Sequence, residues 1–317
     1  MKRRLKIILA SVIAFLVTIL LFIGNFFYGE SVKRGSEVEL HTEPEDETIV
    51  ASAQSSADEQ LLREAQLWYE EQHPEKITQT SYDDLLLQAD FIKDEENSKK
   101  AVILVHGFRK DKSVMGDYTK FYHDHGYHIL MPDSRGHGES EGKYYGYGWH
   151  DRFDLIGWIH ILMEDYGIEE IVLHGNSAGA AAVLMTSGEN LPQQVKAVIA
   201  DSAYSTMKEE LAHQLKHIYG LPSFPLLDIT SVVTKFRAGY FFEEVSTIEQ
   251  VKKNKLPLFI IHGMADELVP TWMGEKIYEE ASGEKELWLV PDVGHIKAHE
   301  METVEFEQKI EEFLSKI

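Results

Sequence analysis

The sequence predicts an α/β fold: an eight-stranded, mostly parallel, doubly wound sheet with a small helical cap, preceded by one transmembrane helix. Three observations carry that expectation. From residue 76 onward, short apolar runs alternate with helix-length segments, the signature of βα units. Most of the later runs are apolar without a period of two, as strands buried on both faces of a parallel sheet are. With 317 residues, 44% of them hydrophobic, the chain can also bury a large core.

The elements follow in order. The opening "MKRRLKIILASVIAFLVTILLFIGNFFYGE" places Lys2, Arg3, Arg4 and Lys6 before an apolar run from Ile7 to Phe27. As a helix that run is about 32 Å long, close to one hydrocarbon thickness. A cleaved signal peptide would have a shorter apolar region and a small-x-small site, which "GNFFYGES" lacks. Residues 1–28 are therefore expected to be a cytoplasmic basic tip and an uncleaved anchor, meeting the lipid bilayer through residues 7–27. Basic residues ahead of the span keep the N-terminus inside, so a single-pass protein of the cell membrane with an extracytoplasmic body is expected; Lys33 and Arg34 on the other flank weaken that bias. Residues 29–58 are polar and acidic, which predicts a stalk.

The body is expected over residues 59–317. Leu61, Leu62, Ala65, Leu67 and Trp68 share one side at helical spacing and predict a packing helix. Strands are expected at 76–81, 86–93, 101–105, 128–131, 170–174, 196–201, 257–262 and 286–290, the first two making an antiparallel start. Helices are expected at 114–125, 151–166, 177–187, 207–217, 272–282 and 303–317. Between Asp201 and the next strand the connection is longer than a simple crossover needs. Its two helical segments and Pro-bounded turn predict a cap at about 205–250, with Leu221, Phe224, Leu226 and Leu227 as candidates for its underside.

Composition excludes several functions. A formal charge of -22 disfavours nucleic acid as a partner. The absence of cysteine rules out disulfides, thiolate metal sites and cysteine nucleophiles. His123, His125 and His128 in "FYHDHGYH" straddle a helix end and a strand start, so their side chains should diverge, and no metal site is expected.

Ligands in doubly wound sheets sit beyond the carboxyl ends of the strands. At those ends stand His106, Gly107 and Phe108 in "VILVHGF", Asp133 in "LMPDSRGHGES", Ser177 in "IVLHGNSAG", Asp201 in "VIADSAYS", Asp266 in "FIIHGMADELVP" and His295 in "LWLVPDVGHIKAH". Serine, carboxylate and histidine thus follow different strands in the chain order of a nucleophile elbow. Such an elbow needs small residues two before and two after the serine, a need that Gly175 and Gly179 meet.

These motifs, with "YYGYGWHDRFDLIGWI", "LPSFPLL" and "FRAGYFF" in the same order, resemble the α/β-hydrolases. Within them the likeness is to membrane-anchored bacterial serine hydrolases related to prolyl-oligopeptidase-like esterases. The resemblance implies Ser177 as nucleophile, His295 as general base and acid, and Asp266 as the carboxylate that orients it. It implies backbone N–H groups of Phe108 and Ala178 as the oxyanion hole. Asp201 is the alternative acid. The implied reaction is cleavage of a small-molecule carboxylic ester through an acyl-enzyme, without cofactor; peptidase, acyl-thioesterase and inactive surface-binding homologue are the alternatives. Two departures touch specificity: Ala178 stands where that family usually has methionine, and Ile296 and Lys297 follow the histidine where small residues are usual. Asp133, Arg135, His137 and Glu139 are expected to brace the site as a buried polar network rather than clamp substrate. Whether Tyr144, Tyr145, Tyr147 and Trp149 line a pocket or pack a loop stays open.

Overall fold

The structure is a computed structural model that describes residues 2–36, 38, 55–94 and 98–317; most of the expected stalk lies outside these residues. Eight strands form one sheet in the order β1-β2-β4-β3-β5-β6-β7-β8. They are β1 Glu75–Thr80, β2 Leu86–Ile92, β3 Lys100–Val105, β4 Tyr127–Pro132, β5 Glu170–Asn176, β6 Val195–Asp201, β7 Leu258–Gly263 and β8 Lys285–Val290. β1 pairs antiparallel with β2, and β2 with β4; every other pairing is parallel. The strands from β3 to β7 are buried almost throughout, which is why their sequences read as continuous apolar runs.

In chain order the helices are α1 Lys2–Ser31, α2 Ser56–Glu70, α3 Thr119–Asp124, α4 Asp151–Glu164, α5 Ala178–Ser187, α6 Met207–Tyr219, α7 Leu226–Ala238, α8 Thr247–Val251, α9 Thr271–Glu280, α10 Ala298–Met301 and α11 Thr303–Leu314. One face of the sheet packs Leu155, Trp158 and Ile159 of α4 and Ala180, Val183 and Leu184 of α5. The other packs Tyr122 of α3 and Phe306, Ile310 and Phe313 of α11. Each fully buried aliphatic or aromatic side chain here contributes roughly 1.5–3 kcal/mol.

Two elements depart from expectation. The helix expected over 114–125 begins as a 3-10 segment, Lys112–Tyr118, before α3. Gly116 in that segment lies against the Tyr69 ring of α2 with no room for a Cβ, so the tighter turn follows the packing of α2. The first residues of the expected stalk do not hang free. Val32 is fully buried, Tyr28 nearly so, and both belong to the apolar cluster of the cap. Lys33 bridges Tyr144, and Arg34 donates to the carbonyls of Gly138 and Ser140 at 2.8 Å each. Backbone donors and acceptors continue past the helix end into the body, so α1 runs directly into it.

The cap is α6 and α7 with the short segment Phe242–Glu244 and α8, inserted between β6 and β7. Its cluster of Met207, Leu211, Leu215, Tyr240 and Phe242 rests on Tyr145, Tyr147 and Tyr204. It covers the carboxyl end of the sheet, where the motif residues are.

Candidate active site

Ser177 sits alone between β5 and α5 with φ 54° and ψ -116°. A non-glycine residue in that region costs about 1–3 kcal/mol and persists only where its surroundings hold it. They do: the Ser177 N–H donates to the Asp201 carbonyl at 2.8 Å, and the Ser177 carbonyl accepts from Ala181 at 3.0 Å. The flanking glycines are required for close approach. A Cβ on Gly175 would strike the Gly179 carbonyl, and one on Gly179 would strike the Val105 and His106 carbonyls of the neighbouring strand end. The turn therefore lifts the Ser177 hydroxyl above the sheet edge.

The hydroxyl meets His295. Ser177 Oγ lies 2.8 Å from His295 Nε2, and His295 Nδ1 lies 2.7 Å from Asp266 Oδ2. Burial alone would raise the Asp266 carboxyl, but hydrogen bonds from His262 and His295 outweigh it and hold the group down at about 2. An ionised Asp266 is acceptor only, so His295 Nδ1 carries the proton and Nε2 is left to accept from the serine. Asp266 Oδ1 also accepts the Val269 N–H at 2.8 Å.

His262, on β7, was not singled out in the sequence. It is fully buried; its Nε2–H reaches the Val269 carbonyl at 2.8 Å and Asp266 Oδ2 at 3.3 Å. It holds the acid loop and the carboxylate together. The only sequence cue was its place in "IIHGMADELVP", four residues before the acid. Asp201, the alternative acid, lies on the neighbouring strand end and accepts from the Ser202 hydroxyl at 2.9 Å. Its carboxyl is raised to about 6, by burial first and against the lowering bond from Ser202. The Ser202 hydroxyl in turn accepts the Ile296 N–H at 3.2 Å. Ile296 has φ 52°, an outlier for a β-branched residue, and that bond ties the strained turn after His295 to the end of β6.

The Phe108 and Ala178 N–H groups flank the serine, and neither donates to a protein acceptor among the described residues. Ala178 opens α5, so its N–H also belongs to the positive end of that helix. The Phe108 loop is pinned by His106, which is buried: its Nδ1–H donates to the Gly107 carbonyl at 2.8 Å and its Nε2 accepts the Ser134 N–H at 3.0 Å. Burial lowers the His106 pKa, which keeps the ring neutral and able to accept.

A cavity of about 680 Å³ opens on these groups. Phe108, Tyr147, Leu211, Leu215 and Leu227 give it mostly apolar walls, and α1 contributes Phe27, Glu30 and Ser31. Leu227 thus lies on the cap's underside as expected, while Phe224 is 76% exposed on its outside and Leu221 is exposed too. The reason is the turn between α6 and α7, which leaves residues 221–224 outside the cap's own cluster. Glu210 of α6 was also missed. It lines the cavity, is buried, accepts from Gln214 at 3.0 Å through Oε1, and has no partner for Oε2 among the described residues.

The remaining candidates brace the site. Asp133 accepts the Lys112 N–H at 2.8 Å, the Lys112 ammonium at 2.6 Å and the Glu139 N–H at 2.9 Å. Arg135, 1% exposed, binds both oxygens of Asp154 at 2.7 Å each. The aromatic loop divides: Tyr147 lines the cavity, Tyr145 packs edge-on against Phe108 with ring centres 4.7 Å apart, and Trp149 stacks on Arg152. His123 packs on Trp68, His125 bonds the Phe121 carbonyl and His128 bonds the Ser98 carbonyl, three separate surroundings.

Known proteins resemble this chain in sequence and fold. Residues 96–237 match the profile of a family described as serine aminopeptidase, S33. The uncharacterized protein YqkD of Bacillus subtilis is 29% identical over 219 residues, 69% of this chain and 72% of its own. The lysophosphatidylserine lipase ABHD12 of Macaca fascicularis is 28% identical over 205 residues, 60% of this chain and 49% of its own. A solved structure of the Pyrococcus furiosus esterase Pf2001 superposes with a TM-score of 0.64 at 25% identity, covering 77% of this chain and 92% of that one. Sheet order and elbow geometry give the chain the α/β-hydrolase fold, and the family and structural matches support an enzyme of the serine-hydrolase kind.

Proposed function

We propose that this chain is a membrane-anchored serine esterase in which Ser177, His295 and Asp266 perform acyl transfer to water. The observation that carries the reading is the hydrogen-bonded chain from Ser177 through His295 to Asp266 at the base of a largely apolar cavity. Ser177 Oγ attacks the ester carbonyl carbon while its proton passes to His295 Nε2. The carbonyl oxygen becomes an oxyanion held by the N–H groups of Phe108 and Ala178. Collapse breaks the bond to the alcohol, which leaves with the proton from His295. Water then attacks the acyl-serine while His295 Nε2 takes its proton; the acyl–Oγ bond breaks, His295 returns the proton to Ser177 Oγ, and the carboxylic acid departs. Asp266 stays ionised and steadies the imidazolium throughout.

The cavity walls suit an acyl chain, and the named activities of Pf2001 and ABHD12, an esterase and a lipase, support ester cleavage. Kinship with prolyl-oligopeptidase-like esterases rests on the motif series alone. Helix α1 is long and apolar enough to cross a membrane, with a mean hydropathy of 3.0 over its most apolar window. Lys2, Arg3, Arg4 and Lys6 ahead of it, against Lys33 and Arg34 behind it, support a body outside the cytoplasm.

A second reading, cleavage of aminoacyl amides, is favoured by one feature besides the description of the matching family. A substrate ammonium entering the cavity would displace the proton that burial keeps on Glu210 and pair with its unpartnered Oε2. One experiment separates these readings. A membrane-impermeant fluorophosphonate should label the full-length protein stoichiometrically on intact cells, and Ser177→Ala should abolish labelling. A folded wild type that stays unlabelled even after lysis would remove the enzymatic reading. Labelling only after lysis would reverse the orientation. Faster turnover of aminoacyl anilides than of nitrophenyl esters would select the amidase.

A further inference from the structure

Helix α1 does more than lead into the body. Its last turns bury Gly24, Tyr28 and Val32, one residue per turn on a single stripe. Gly24 admits α7 at close range: a Cβ there would meet Ile229 Cγ2 at 2.6 Å and Val233 Cγ2 at 3.1 Å. Further along, Arg237 lies over the Tyr28 ring, 5.2 Å from its centre. The two helices therefore run alongside one another in the same direction. The start of α7 lies roughly 5–8 Å before the level of Gly24, within the apolar run that ends at Phe27.

On α7 at these levels the exposed residues are Val232 and Phe236, together with Arg237, whose guanidinium is turned back over the Tyr28 ring of α1. Phe236 is 87% exposed, Phe224 just before the helix is 76% exposed, and Val232 is 42% exposed. Asp228 and Lys235 turn to partners instead, Lys208 at 2.8 Å and Glu244 at 2.9 Å. Large aromatic side chains so exposed mark an interaction surface, and this one continues from the candidate membrane span. The cavity reaches the same place. Its far wall is Phe27 of α1 and Tyr219 of α6, whose rings meet edge-on with centres 5.6 Å apart.

We propose that the outer face of α7 around Phe224, Val232 and Phe236 lies in the bilayer beside α1, and that esters reach Ser177 from the lipid, between α1 and α6 at Phe27 and Tyr219. The inference rests on the reading of α1 as a span and of the site as an esterase. It assigns the cap a lipid partner and the pocket a membrane-resident acyl ester.

Two measurements on the full-length protein in phosphatidylcholine–phosphatidylglycerol vesicles test it. The chain has no cysteine, so Phe236→Cys and Ser315→Cys each accept a single nitroxide. The residue 236 label should be relaxed more by oxygen than by a water-soluble nickel chelate, and the label at residue 315, beyond the last helix, the reverse. Equal nickel access at both positions overturns the proposal, as does shielding of residue 236 from both relaxants, which would mean a second protein copy. The double variant Phe224→Ser/Phe236→Ser should lose at least tenfold in turnover of 4-methylumbelliferyl oleate carried in the vesicles, while the soluble butyrate ester stays within twofold. Equal loss on both, or loss on neither, overturns lipid access. If the wild type cleaves neither ester, the esterase reading fails and the labels alone decide the surface.

Discussion

At the scale of single residues, the site turns on which carboxylate faces His295. Asp266 does so at 2.7 Å, while Asp201 is engaged by Ser202 and receives no bond from the imidazole among the described residues. Asp266→Asn replaces an acceptor with a group that also donates, so the ring loses the tautomer it needs. A change of this type in a serine protease lowers kcat by about 10⁴, and a loss of about 10³–10⁴ is expected here. Asp201→Asn, which leaves the His295 contact intact, should hold kcat within about tenfold. Steady-state kinetics on a nitrophenyl ester checks both, and the reverse ranking would make Asp201 the working acid. Ile296 belongs to this scale too: its strained turn is where the chain departs from the small residues usual after the histidine, and Ser202 holds that turn in place.

At the scale of elements, helix ends and turns decide how the parts join. Helix α2 starts five residues before the expected Leu61 because Ser55 and Asp58 form a reciprocal capping box. Asp58 does a second thing: its Oδ1 accepts the Val304 N–H at 2.9 Å, fastening the start of α2 to the start of α11. Asp58→Ala removes both, and a loss of about 1–2 kcal/mol is expected, read as a lower denaturant midpoint at unchanged slope. An unchanged midpoint would show that α2 adds nothing to the cooperative unit. The spacing Ser-x-x-Asp was present in the sequence, but with few apolar residues before Leu61 the hydrophobic pattern pointed further on.

At the scale of the whole molecule, the cap stores an acid whose titration opposes folding. Burial raises the Glu210 carboxyl to about 8, against the lowering bond from Gln214 and with a small push from Asp266. The folded protein therefore keeps a proton that the unfolded chain releases near the ordinary glutamate value of 4.5. With more protons bound in the folded state, stability falls as pH rises between those two values, and the loss is complete above the higher one. Glu210→Gln abolishes this dependence. Its melting temperature relative to wild type should be higher at pH 8.5 than at pH 5, measured on the full-length protein in detergent. A difference that does not grow with pH would mean the carboxyl is already ionised in the folded state.

Much of this molecule is legible in the chain itself, for local reasons. All eight strands lie within two residues of their expected places; for β3 to β7 the reason is that strands buried on both faces must be apolar at nearly every position. The serine turn shows itself through Gly175 and Gly179, since no side chain fits where those backbones touch their neighbours. The strand-end residues Ser177, Asp266 and His295 stand out because the chemistry restricts residue type at each. What only the tertiary structure decided involves contacts between distant segments. Asp201 and Asp266 are both carboxylates at strand ends, and only the packing of loops sets which one meets the imidazole. His262 and Glu210 look like ordinary members of their elements until burial puts one beside Asp266 and the other in the cavity. Helix α1 reads as a separate anchor because its apolar run is complete in itself, yet Gly24, Tyr28 and Val32 join it to the cap. Such couplings depend on which surfaces meet, and one-dimensional periodicity carries no record of that.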